Sequence, residues 1–241
     1  MAKRLRDHLS SLATLAFIAL VLCATEPVFA SDCAGGSTIT LSSQQSVDDF
    51  SNTHPSCSVI VGSLEVKGDD ITHLDGLAGL ERIEGSLSLL SPVLSSIDGL
   101  SSLSSIEGSL IIGQASQGTL LESLSALSNL TELGGGLTIY NNSQLLSLRG
   151  LEKVSIVGSD IWIQSNALLQ DFSGLAGLQE IKGTLRIAGN PALTDLEGLT
   201  TLVIIGGALI FESNESSTCL IVPKQVLLKK KRVMVTCLSL I

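Results

Sequence analysis

The sequence predicts a β protein: a parallel β-helix, or solenoid, of leucine-rich-like repeats of about 24 residues, opened by a short capping helix. Three observations predict it. A G-L-x-x-L phrase recurs at Gly76-Leu77, Gly99-Leu100, Ala126-Leu127, Gly150-Leu151, Gly174-Leu175 and Gly198-Leu199, in steps of 23, 27, 24, 24 and 24 residues. A second phrase, I-x-G-x-L-x-I, follows it, as in Ile106-Gly108-Leu110-Ile112 and Ile181-Gly183-Leu185-Ile187. Asn142, Asn166, Asn190 and Asn214 fall 24 residues apart.

Composition bounds the answer. Hydrophobic residues are 44% of the 241 and charged residues 15%, which excludes an acidic disordered chain. Aromatic residues are only 3%, so the core must be Leu, Ile and Val. Formal net charge is −9, which gives no electrostatic reason for binding nucleic acid. Between residues 31 and 223 stand 21 acids and six bases; from Lys224 onward stand five bases and no acid.

Residues 1–30 read as a signal peptide. Lys3, Arg4 and Arg6 precede an apolar run from Leu12 to Ala24, and Val28-Phe29-Ala30 is a small-x-small cleavage site. The mature chain is expected from Ser31, without a transmembrane span: the apolar ending, Val233 to Ile241, is nine residues against the ~20 a helix needs. Residues 31–222 are the expected solenoid and 223–241 a basic C-terminal tail.

At the start of the solenoid, Val47 and Phe50 stand at helical spacing behind Ser42 and Ser43, either of which can cap. This is the expected capping helix, covering the open end of the column. In each repeat the L-x-I pair alternates with period two, which predicts a half-buried strand. The preceding Gly suits a bend or a close approach to the neighbouring turn. A turn of ~24 residues is too short for a strand–helix–strand crossover of about 30, so the turns stack on one another. Each ladder Asn lies three residues after its strand's last apolar position, where it can satisfy backbone groups the corner leaves unpaired. The 27-residue step carries its extra length in residues 113–119 and lacks the ladder Asn.

Cys33, Cys57, Cys219 and Cys237 are the cysteines after cleavage, an even number in a secreted chain, which favours disulfides over a metal site. Cys33, then Cys57-Ser58-Val59-Ile60-Val61-Gly62-Ser63-Leu64-Glu65-Val66, resembles the opening of a receptor L domain, the ligand-binding module of insulin and epidermal growth factor receptor ectodomains. The repeat Gly174-Leu175-Ala176-Gly177-Leu178-Gln179-Glu180-Ile181-Lys182-Gly183-Thr184-Leu185-Arg186-Ile187 is similar to that family's and to those of related fungal cell-wall proteins. The resemblance covers about Cys33 to Cys219. It implies a right-handed β-helix, a Cys33–Cys57 disulfide at its start and no catalysis. A Cys219–Cys237 disulfide is expected at the other end, with Val222 to Thr236 folding back. Ordinary leucine-rich repeats fit less well, because their leading Leu position holds Gly134, Gly158, Lys182 and Gly206. The chain has no furin-like Cys-rich module and no kinase, so receptor signalling is not implied.

No catalytic or cofactor-binding motif is present: no G-x-S-x-G, no H-E-x-x-H, no phosphate loop. Asp69, Asp70, His73 and Asp75 form the one charged cluster, read as a solvated turn. The sequence therefore predicts a secreted or cell-surface binding module for an extracellular protein or glycan. A structural cell-surface or wall protein is the alternative, and a β-helix polysaccharide-degrading enzyme the third. The loop 113–119 reads as a flexible bulge that replaces the Asn corner, with a recognition loop as the alternative. If the loop is not the site, the strand face bearing Glu65, Ser88 and Arg186 is the next candidate, and Trp162 and Tyr140 can serve packing or binding. In a eukaryotic source the sequons at Asn129 and Asn141 are the better glycosylation sites, since Asn214, also in a sequon, belongs to the ladder.

Overall fold

The computed structural model describes residues 31–33, 35–194, 196–214, 227–228 and 233–235. Met1–Ser31 is one unit and Asp32–Ile241 a second, compact one. The second unit is a parallel β-solenoid, as the period predicts.

Each turn contributes two strands, not one. The L-x-I strands build one nine-stranded parallel sheet. They are β2 (Ile39–Leu41), β4 (Leu64–Val66), β6 (Leu87–Leu89), β8 (Leu110–Ile112), β10 (Leu137–Tyr140), β12 (Ile161–Gln164), β14 (Leu185–Ala188), β16 (Leu209–Glu212) and β18 (Val233–Val235). The leading Ile of each phrase, with its predecessor, builds a second nine-stranded sheet. Its strands are β1 (Ser31–Cys33), β3 (Cys57–Ile60), β5 (Arg82–Ile83), β7 (Ser105–Ile106), β9 (Glu132–Leu133), β11 (Ile156–Val157), β13 (Glu180–Ile181), β15 (Ile204–Ile205) and β17 (Leu227–Leu228). We call the sheet of β1, β3 and their successors the first sheet and the L-x-I sheet the second. A short 3-10 corner at the G-L dipeptide makes the third side, as at Asp98–Leu100 and Glu197–Leu199.

Register holds throughout: Leu137 pairs with Ile161, Ile161 with Leu185 and Leu185 with Leu209. Each inward residue therefore stacks on its own kind. Leu64, Leu87, Leu110, Ile161 and Ile205 are completely buried within one continuous core. At ~4.8 Å per turn the nine turns make a column of roughly 38 Å.

The ninth turn, β17 and β18, lies in the segment the sequence reads as a tail: Ile204 pairs with Leu227 and Leu209 with Val233.

The capping helix forms as two pieces, α1 (Gln44–Asp48) and α2 (Phe50–Thr53), joined at Asp49. Ser43 and Ser46 make a reciprocal capping box, each accepting the other's backbone N–H at 3.2 Å. Val47 and Phe50 are buried. The helix serves as the third side of the first turn and packs on the 3-10 corner Asp75–Leu77. The Gln44 side chain accepts from Thr72 N at 2.8 Å and donates to His73 O at 3.2 Å, which fastens the two turns.

Close approach explains the Gly of G-L-x-x-L. At Gly198 an added Cβ would overlap the carbonyl oxygen of Phe172, and at Gly99 that of Leu74. The corners stack so tightly that a side chain would lift one turn off the next.

Candidate functional site

The asparagine ladder is part of the scaffold. Asn142, Asn166 and Asn190 are fully buried. Asn166 Nδ2 donates to Ile139 O at 3.1 Å, and its backbone N–H donates to Asn190 Oδ1 at 3.0 Å. Asn190 repeats this with Ile163 O and Asn214 Oδ1, and Asn214 Nδ2 reaches Ile187 O. The corner of the 27-residue turn is held by Thr119, whose N–H and hydroxyl both donate to Asn142 Oδ1, at 3.0 and 2.7 Å. Ser91 plays the same part further up, donating to Ile71 O at 2.8 Å. These side chains are turned inward and fully engaged, so they offer a ligand nothing.

A second ladder, which the sequence reading missed, runs along the bend between the sheets. Ser86 N donates to Ser63 Oγ, Ser109 N to Ser86 Oγ and Gly136 N to Ser109 Oγ, at 2.9–3.0 Å. Thr184 N then donates to Asp160 Oδ1 at 2.7 Å and Ala208 N to Thr184 Oγ1 at 3.3 Å. Its signal is the hydroxyl or carboxylate in the x position of G-x-L.

The loop 113–119 is tethered. Gln114 and Gln117 exchange backbone hydrogen bonds at 2.8 and 3.1 Å, and Asn141 Nδ2 donates to Gln114 O and Ala115 O. The cluster at Asp69, Asp70, His73 and Asp75 is a surface turn: Asp69 and Asp70 are exposed, and His73 Nδ1 lies 3.4 Å from Asp75 Oδ2 on an exposed pair. Among the described residues no three His, Cys, Asp or Glu side chains are grouped to hold a metal ion, and no helix is long and apolar enough to cross a membrane. Cys33 and Cys57 form a disulfide with Cα atoms 6.0 Å apart, bridging β1 and β3. Cys219 and Cys237 lie outside the described residues.

The outer face of the second sheet is where the chain concentrates chemistry. Outward positions align in register: Thr40, Glu65, Ser88, Ile111, Thr138, Trp162, Arg186 and Ile210 form one row. A parallel row holds Tyr140, Gln164, Ala188 and Glu212. The expected face of Glu65, Ser88 and Arg186 is therefore one continuous row, with the only Trp of the chain within it and the only Tyr beside it. Trp162 is 41% exposed. Gln164 Nε2 donates to Tyr140 Oη at 2.9 Å, and Arg186 Nη2 meets Glu212 Oε2 at 2.8 Å. These pairs hold four side chains on the same sheet face as the indole, on its own strand and on strands one and two places away. Strand parity carried the signal: Trp162 stands between inward Ile161 and Ile163, so it must face out.

A concavity lies on the outer face of the first sheet, about 340 Å³ in volume, over Gly134, Ile156 and Gly158 between Glu107, Glu132 and Lys182. No protein-family model, no curated protein and no solved structure matches the chain.

Proposed function

We propose that the chain is an extracellular, non-catalytic binding module of receptor L-domain type. It holds a protein or glycan partner on the outer face of the second sheet. The observation that carries this reading is Trp162. In a chain with 3% aromatic residues, its one indole stands exposed on a regular strand face that also carries the Gln164–Tyr140 and Arg186–Glu212 pairs. Exposed Trp, Tyr and Arg dominate the energetics of recognition surfaces, because each brings a large contact area at small entropic cost. The disulfide between the first turns and the expected signal peptide support an oxidising, extracellular setting. The stacked turns support rigidity: the face is preorganised, so a partner meets it without ordering cost.

The test is a screen of the mature chain, from Ser31, against a glycan array and a library of secreted and cell-surface ectodomains, beside Trp162→Ala and Arg186→Glu. At least one partner is expected whose binding both substitutions weaken by tenfold or more (about 1.4 kcal/mol), with circular dichroism unchanged. Binding that survives both substitutions moves the site off this face. Finding no partner favours the structural wall-protein reading. Release of reducing ends from uronate polymers overturns the non-catalytic assignment.

A further inference from the structure

We infer that the concavity on the first sheet is a second, separate binding site, for short peptides with free termini. The ammonium end lies toward Glu132 and Glu107 and the carboxylate end on Lys182.

Along the outer face of the first sheet, the position after each strand's inward residue reads Glu84, Glu107, Gly134, Gly158, Lys182 and Gly206 in successive turns. Two bare turns stand between a carboxylate and an amine. The glycines have a stacking reason of their own, since a Cβ at Gly158 would overlap Gly134 O and one at Gly134 would overlap Glu107 O. They alone indicate no ligand. Charge does.

Six bases stand between residues 31 and 223. Lys67, Arg82 and Arg186 pair with carboxylates, Lys153 donates to Asn129 Oδ1, and Arg149 donates to Ser173 Oγ. The Lys182 ammonium alone has neither ion pair nor hydrogen bond among the described residues, although its backbone N–H donates to Val157 O, and it stands at the edge of the concavity. At the opposite edge, Glu132 is held by Ser105, whose hydroxyl donates to Oε2 at 3.0 Å, and no base pairs with it among the described residues. Glu107, one turn beyond, shares Arg82 at 3.4 Å. Ile156 lies between them with 44% of its surface exposed.

The site is thus dipolar with an apolar middle. Glu132 and Lys182 are two turns apart, ~10 Å along the column. An extended peptide spans ~3.3–3.6 Å per residue, so about three residues bridge them. The volume of about 340 Å³ stands at the small end of ligand pockets, which run from ~300 Å³. A tripeptide with an apolar central side chain over Ile156 meets the length, the volume and both charges. An anionic ligand without an ammonium would face the carboxylates of an acidic body.

The probe is the tripeptide Ala-Leu-Ala, titrated into the ¹⁵N-labelled mature chain, beside its N-acetyl, C-amide form. Saturable shifts are expected at the amides of Gly134, Ile156 and Gly158, with those of Trp162 unmoved. The capped peptide should bind at least tenfold more weakly. Lys182→Glu and Glu132→Lys should each weaken the free peptide by about tenfold, and the double charge swap should restore it, because a zwitterion can reverse. Equal binding of free and capped peptide, shifts centred elsewhere, no shifts at 10 mM, or no rescue in a double variant that keeps its unfolding midpoint would each overturn the proposal. None of these outcomes bears on the Trp162 face.

Discussion

The backbone N–H of Asn142 donates to the side-chain oxygen of Asn166 at 3.0 Å, across one full turn of the column. The same Asn142 reaches Ile112 O with Nδ2 at 3.0 Å, so one side chain ties together the turns on either side of its own. The corner's backbone groups are buried and the strands turn away from them. Only a side chain carrying both a donor and an acceptor closes the gap. Asn166→Ala is therefore expected to cost ~1–3 kcal/mol by chemical denaturation, as buried groups are left unpaired. Thr119→Val removes the hydroxyl that donates to Asn142 Oδ1 and accepts from Leu121 N, and should cost an amount of the same order. Asn214→Ala, at a half-buried position, should cost less.

Two glycines separate backbone strain from stacking. Gly189 has φ of 65°, and a Cβ there would meet nothing nearer than 3.6 Å. Gly189→Ala should cost only the left-handed penalty, ~1–2 kcal/mol. At Gly198 the added methyl would overlap Phe172 O, so Gly198→Ala should cost more than Gly189→Ala in paired thermal unfolding. Equal losses would mean that the corners do not stack as described.

The Cys33–Cys57 disulfide closes a loop 24 residues long over the first turn and the helix. Cys33→Ser with Cys57→Ser should lose ~3 kcal/mol by the chain-entropy estimate. Hydrogen exchange should rise first in residues 35–60, while the amides of β10 to β14 keep their protection.

The sequons divide by geometry. Asn129 is exposed and spends one N–H on Ser101 O at 2.9 Å; a glycosylated amide keeps one N–H, so that bond survives. Asn141 uses Nδ2 on both Gln114 O and Ala115 O and has φ of 59°, so a glycan there costs one anchor of the loop 113–119. In a eukaryotic secretory host, Asn129→Gln should abolish the shift on deglycosylation, and Asn141→Gln should leave it.

Much of this architecture was legible. The 24-residue period, the L-x-I strands, a serine cap at Ser42 or Ser43 and the Asn positions all show as spacing, and the structure picks Ser43. The second ladder of strands did not, because each of its later members is two residues long and leaves a single inward side chain to read. Thr119 and Ser91 stayed hidden for another reason: they do the work of Asn with different atoms at a different offset from the strand. The glycines of G-L-x-x-L carry no periodic hydrophobic signal, and their reason, a carbonyl one turn away, exists only once the turns are stacked. The Trp162 face was half legible. Parity fixes the outward direction of the indole, but the nearness of Tyr140, Gln164, Arg186 and Glu212 needs the register.

The central claim is that a partner seats on the Trp162 row. Hydroxyl-radical footprinting tests it most directly, comparing the chain free in solution with the chain bound to cells of the organism that makes it. Trp162 and Tyr140 are the chain's only Trp and Tyr, and both rings oxidise readily. The expected result is at least fivefold protection of Trp162 and lesser protection of Tyr140, with Ile156 and Leu146, exposed elsewhere on the column, oxidised as before. Bound chain in which Trp162 oxidises at its free rate contradicts the claim.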